Sequence, residues 1–256
     1  MNGIDIFGHS VRQVLGNLTA ALKISALLYL VQFGVSLWFG SKVPASGVGG
    51  MSAEAMANMP WGAILVFYIV LLITGIWIAV AWHRYVLLNE EPTSVIPAFR
   101  GDRMLAYFGY SLLIGLIMIP IVFILFFVAS IIVVPLFMSG GPNMFGLIVM
   151  ALVVYVPIIV VVYRLSVVLP AAALEENLGI GGAWEQTKGT TGTMLVLAIT
   201  TVLCYMIINL PVFFVFPIAS VLATIWTFFT GWIAVMVGVS ILTTLYGHYV
   251  EKRPLI

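Results

Sequence analysis

Apolar residues in this chain gather into long unbroken runs, with polar residues confined to the gaps. Six runs are long enough to cross a bilayer: Leu18–Gly40, Trp61–Leu88, Arg103–Met138, Met144–Leu169, Thr193–Pro217 and Ser220–Tyr249. Each supplies the ~20 mostly apolar residues that a spanning helix requires. The third run exceeds one perpendicular crossing at ~1.5 Å per residue. It must tilt, kink at Pro120 or protrude. Pro157, Pro211 and Pro217 predict kinks or local breaks in the fourth and fifth runs.

Three shorter stretches have a different pattern. Ile4, Phe7, Val11, Val14, Leu15 and Leu18 recur at helical spacing, with Asp5, His9, Arg12 and Gln13 elsewhere on the wheel. This pattern predicts an amphipathic helix lying in the membrane interface before the first span. Val95–Arg103 and Ile180–Lys188 have the same character before the third and fifth runs. Phe7, Phe99 and Trp184 are their large apolar anchors. Met1–Gly16 lacks the cationic region and small-residue cleavage site of a signal peptide.

The composition agrees. The chain of 256 residues is 63% hydrophobic and 7% charged, against roughly half apolar and a quarter charged in soluble domains. A net charge of +1 provides no basic field for nucleic acid. The single cysteine, Cys204, lies inside an apolar run and reads as a small buried hydrophobe.

Charge placement sets the expected orientation. Every Lys and Arg except Lys42 sits at the chain ends, in alternate gaps between runs, or within about a turn and a half of the run ends that border them. Asn89–Asp102 and Pro170–Gly192 hold most of the acidic residues as well. By the positive-inside bias, both termini are cytoplasmic. Ser41–Pro60, Ser139–Asn143 and the turn at Phe216–Ser220 then face the other side.

The even-numbered spans end alike: Trp82-His83-Arg84-Tyr85-Val86, Val162-Tyr163-Arg164-Leu165-Ser166 and Tyr246-Gly247-His248-Tyr249-Val250. An interfacial segment plus a helical hairpin, used three times over residues 1–88, 93–170 and 178–250 of a single membrane domain, explains the recurrence. Convergence of aromatic and basic residues at membrane interfaces explains it equally.

Candidate chemistry is sparse. Lys23 lies one turn into the first span and can snorkel, while Arg84 and Arg164 lie about one bilayer crossing into theirs. Gln32, Thr74, Ser130, Thr200 and Thr201 suit interhelical hydrogen bonds. Asn209 beside Pro211 is the candidate for a polar pocket, since proline frees a carbonyl. His9, His83 and His248 show no metal-ligand spacing and read as separate interfacial histidines. Glu90-Glu91 and Glu175-Glu176 read as solvated charges balancing Arg84, Arg100, Arg103 and Arg164. Those four arginines are also the candidate contacts for lipid head groups. No GxSxG, HExxH or Walker-type loop occurs, so no catalytic residue, metal or cofactor is assigned.

The stretches Ala81-Trp82-His83-Arg84-Tyr85-Val86-Leu87-Leu88-Asn89-Glu90-Glu91-Pro92 and Arg164-Leu165-Ser166-Val167-Val168-Leu169-Pro170-Ala171-Ala172-Ala173, followed by Ala183-Trp184 and Thr187-Lys188-Gly189, carry a resemblance. They resemble a signature of an uncharacterised family of six-span alphaproteobacterial inner-membrane proteins. The plan is also similar to the membrane domain accompanying some bacterial glycerophosphodiester phosphodiesterases. The resemblance implies an all-α polytopic fold and an inner-membrane address, and brings no reaction. Three functional expectations follow. The first is a non-enzymatic accessory or structural component, with membrane lipids and other membrane proteins as partners. The second is handling of a lipid or small apolar solute past Pro120, Pro157 and Pro211. The third, a membrane enzyme, requires the Glu pairs to converge with His83 or His248.

Overall fold

A computed structural model describes residues 2–43, 58–138, 144–214 and 220–254. Most of the expected loop 41–60, all of 139–143 and most of the turn 216–220, with its proline at 217, lie outside the described residues. Among the described residues the fold is all-α. Its helices are α1 (Gly3–Gly16), α2 (Leu18–Gly40), α3 (Trp61–Leu88), α4 (Gly101–Met138), α5 (Met144–Ser166), α6 (Val168–Ala173), α7 (Gly179–Gln186), α8 (Thr191–Phe214) and α9 (Ser220–Tyr249).

Six segments are long and apolar enough to cross a membrane: Leu18–Gly40, Trp61–Leu88, Gly101–Ile131, Leu152–Ala173, Thr191–Val212 and Val221–Tyr249. α2 packs along α3, α4 along α5, and α8 against both α5 and α9. α4 runs unbroken through Pro120 and Pro135, α5 through Pro157, and α8 through Pro211, so none of these four prolines breaks its helix. Near Pro211 the Trp226 indole of α9 donates to the carbonyl of Ile208 at 2.8 Å, which ties α9 to α8. The fourth run does break, at Val167 between α5 and α6. Pro170 has no N–H to offer the carbonyl of Ser166, which ends α5 there.

Burial is concentrated at one end of the bundle. The fully buried Trp82, Ile78, Leu197, Met194, Met236, Ile241, Leu245 and Tyr246 lie toward the ends of α3 and α9 and the beginning of α8. At the other end large apolar side chains face outward, among them Leu65 and Tyr68 of α3, Phe123 and Phe127 of α4, and Leu203 and Ile207 of α8. Such surface is stable against lipid tails, which are as apolar as the side chains themselves.

Two of the three short amphipathic stretches are helical, and the three pack in different ways. α1 docks on α8 and α9, and its buried stripe is Ile6, Ser10 and Val14, spaced four apart. Of the predicted apolar face, Ile4, Leu15 and Leu18 are exposed. Gly3 permits the contact: a Cβ there would sit 2.3 Å from the backbone nitrogen of Leu197. Ser10 then donates to Thr244 across 3.1 Å.

Val95–Arg103 is not a helix before Gly101. Asn89, at φ 56°, terminates α3 in the left-handed conformation, and Pro97 drives Ile96 out of the helical region. Phe99 nonetheless anchors this segment, edge-on to Trp77 of α3 with centroids 5.1 Å apart. α7 forms as expected and packs on α5 and α6. Each of the three segments therefore touches the helices of a different sequence unit: α1 the third, Phe99 the first, α7 the second.

Candidate functional site at the charged end of the bundle

The closely packed end also carries the charge. Arg84 lies in the last turns of α3, and the left-handed turn at Asn89 folds the chain back so that Glu90 meets it. The Arg84 Nε–Glu90 Oε2 distance is 3.0 Å and the NH2–Oε1 distance 2.5 Å, a two-pronged pair. The remaining Arg84 nitrogen donates to the carbonyl of Ala173 at 2.8 Å, the end of α6, and lies 3.6 Å from Glu175. A cation is well placed there, against the negative end of a helix.

Around this centre, Arg100 donates to both Glu90 oxygens at 3.1–3.2 Å. Arg103 pairs with Asp102 at 2.7 Å and approaches Glu175 at 3.6 Å. The hydrogen bond from Arg84 holds the Glu90 carboxyl below the usual carboxylate range. Glu176 accepts a bond from the Tyr246 hydroxyl at 2.7 Å. Glu251, beyond α9, is pushed the other way by burial.

Arg164 is satisfied without an acid. Its guanidinium lies 3.5 Å from the Trp184 ring centroid and donates to the Trp184 carbonyl at 3.1 Å and the Thr187 hydroxyl at 3.3 Å. The ring face supplies the countercharge. Arg84 and Arg164 are thus both buried, with donors directed into the protein, whereas Arg100 and Arg103 keep more open surface. Glu90 and Glu175 do balance Arg84, Arg100 and Arg103, as expected, but neither reaches Arg164.

His83 corrects another expectation. It is fully buried, with Nδ1 2.8 Å from the Thr243 hydroxyl and Nε2 3.4 Å from that of Tyr107. Thr243 donates its own proton to the Val239 carbonyl, so it accepts from Nδ1–H, leaving Nε2 to accept from Tyr107. This joins α3, α4 and α9 in a closed polar link. Its sequence partners lie 24 and 160 positions away, so no local signal marks it.

Among the mid-span polar residues, Gln32 bonds Thr74 at 2.8 Å and Thr201 bonds Tyr163 at 3.1 Å, both between helices. Ser130 and Thr200 instead bond carbonyls of their own helices. Asn209 is half-buried on α8 and donates to the Tyr205 carbonyl. Cys204 is exposed on the outer face of α8, not buried. An apolar run that meets lipid on most sides does not say which residues face inward. Among the described residues, no three His, Cys, Asp or Glu side chains are grouped to hold a metal ion.

Several clefts open at this end, among them one over His9, Gln13 and His248 and two more. One of about 70 Å³ lies over Arg84, Glu90 and Arg100. The other, about 350 Å³, lies between the α1–α2 corner and the end of α3, with Lys23, Tyr85 and Glu91 in its walls. No family model matches the chain, and neither the curated proteins nor the solved structures contain a significant match.

Proposed function

We propose that this chain is a non-enzymatic component of a larger bacterial inner-membrane complex. In this reading the spans form three hairpins and both termini are cytoplasmic. The observation that carries it is how little of the spans the chain covers by itself. Only 17% of the most apolar window in Gly101–Ile131 and 11% of that in Thr191–Val212 is buried. The arginines at the charged end, meanwhile, are occupied by internal partners. Apolar flanks held on a locked base suit packing against lipid and neighbouring spans. The charge distribution and the motifs around Arg84 and Arg164 support the orientation and the address.

Gentle solubilisation of native membranes, followed by crosslinking and mass analysis, tests this. Stoichiometric recovery with the same partner spans is the expected result. Recovery only as a free monomer overturns it.

A further inference from the structure

We infer that the cleft between the α1–α2 corner and the end of α3 seats the head group of a zwitterionic phospholipid bearing a primary ammonium. The cleft holds about 350 Å³, within the range of small-molecule sites, ~300–1,000 Å³. Its walls bring together Lys23 from α2 and Glu91 from the segment after α3. Most other acids at this end are already engaged: Glu90 with Arg84 and Arg100, Glu175 with Arg84 and Arg103, Glu185 with Lys188, and Glu176 with Tyr246. Among the described residues, Lys23 and Glu91 have no ion-pair partner and lie farther than 4 Å from each other.

One cation and one anion, lining the same space without forming an ion pair, match a ligand with both charges. A phosphodiester oxygen accepts from the Lys23 ammonium, a compact charge suited to phosphate. The ligand's ammonium donates to the Glu91 carboxylate. The wall between them is held in shape: the Tyr85 hydroxyl donates to Asn17 Oδ1 at 2.9 Å, and Asn17 Nδ2 to the Gln13 carbonyl at 2.8 Å. Thr19 adds a further hydroxyl to the lining. Leu18 and Leu22 face outward along α2, giving acyl chains an apolar track from the cleft into the bilayer. A purely anionic head group would meet Glu91 as a like charge, and a quaternary ammonium has no N–H to donate. The site is independent of the complex proposed above, since a free monomer would retain it.

The test uses the full chain in nanodiscs of mixed phosphatidylethanolamine, phosphatidylglycerol and phosphatidylcholine, with retained lipid read by native mass spectrometry. Wild type should retain phosphatidylethanolamine about tenfold over the other two, ~1.4 kcal/mol. Lys23→Gln and Glu91→Gln should each abolish most of that preference, and Glu91→Lys should turn it toward phosphatidylglycerol. Lys42→Gln, far from the cleft, should leave it intact. Unchanged unfolding temperatures in these exposed-site variants would show that folding is not the cause. Equal retention of all three lipids by wild type, or wild-type preference in both neutral variants, overturns the proposal. So does equally tight binding of soluble glycerophosphoethanolamine, which would indicate a free solute in place of a lipid.

Discussion

Arg84 and Glu90 are six positions apart, yet they face each other as a two-pronged ion pair because Asn89 turns the chain back at the end of α3. The same guanidinium reaches the Ala173 carbonyl at the end of α6. One side chain therefore ties together two distant parts of the chain. Arg84→Ala leaves Glu90 and a helix-end carbonyl without their cation and should cost about 2 kcal/mol. That figure is below the ~3–5 kcal/mol of a fully buried pair, because Glu90 is partly open to water. Arg84→Lys should recover only part of the loss, since an ammonium lacks the fork. Thermal unfolding in mild detergent measures both.

The pH dependence of this contact has a definite sign. Glu90 is held below the ordinary carboxylate range in the folded state. Its contribution is therefore fully present above that range and is lost as pH falls through the depressed value. Unfolding temperature should drop on the acid side, and Glu90→Gln should remove part of that drop. An identical acid limb in the variant would exclude Glu90 as a source.

Arg164 and Trp184 should be energetically coupled. A cycle of Arg164→Leu, Trp184→Leu and the double variant is expected to show about 1 kcal/mol of interaction. Additive effects would mean that the 3.5 Å stacking contributes nothing.

Gly3 and Gly109 should respond oppositely to alanine. At Gly3 the new Cβ meets the α8 backbone at 2.3 Å, whereas at Gly109 nothing lies within 4 Å. Gly3→Ala should cost roughly 1–3 kcal/mol and expose α1 to protease. Gly109→Ala should be neutral or stabilise by up to ~1 kcal/mol through helix propensity. Limited proteolysis distinguishes the two.

Cys204 faces outward, well inside the apolar length of α8. In intact membranes it should react with an apolar, membrane-soluble maleimide and resist a charged one. Labelling by the charged reagent would place this face of α8 against water.

By itself the sequence determined that six helices are long and apolar enough to span a membrane, and the extent of three of them, because the bilayer sets a length that an unbroken apolar run either meets or does not. Leu18–Gly40, Trp61–Leu88 and Ser220–Tyr249 are read from it without adjustment. It also placed the charge at one end, since burying charge in hydrocarbon costs several kcal/mol. Only the tertiary structure decided which way side chains face. A helix that is apolar on every side has no polar stripe to mark its inner surface. For that reason neither the outward face of Cys204 nor the bond between His83 and Thr243 has a signature in the sequence. Even α1, with its clear periodicity, turns Ile6 and Ser10 inward because Gly3 lets it approach α8. The inward turn of Arg84 and Arg164 was likewise settled by partners distant in the chain, the Ala173 carbonyl and the Trp184 ring.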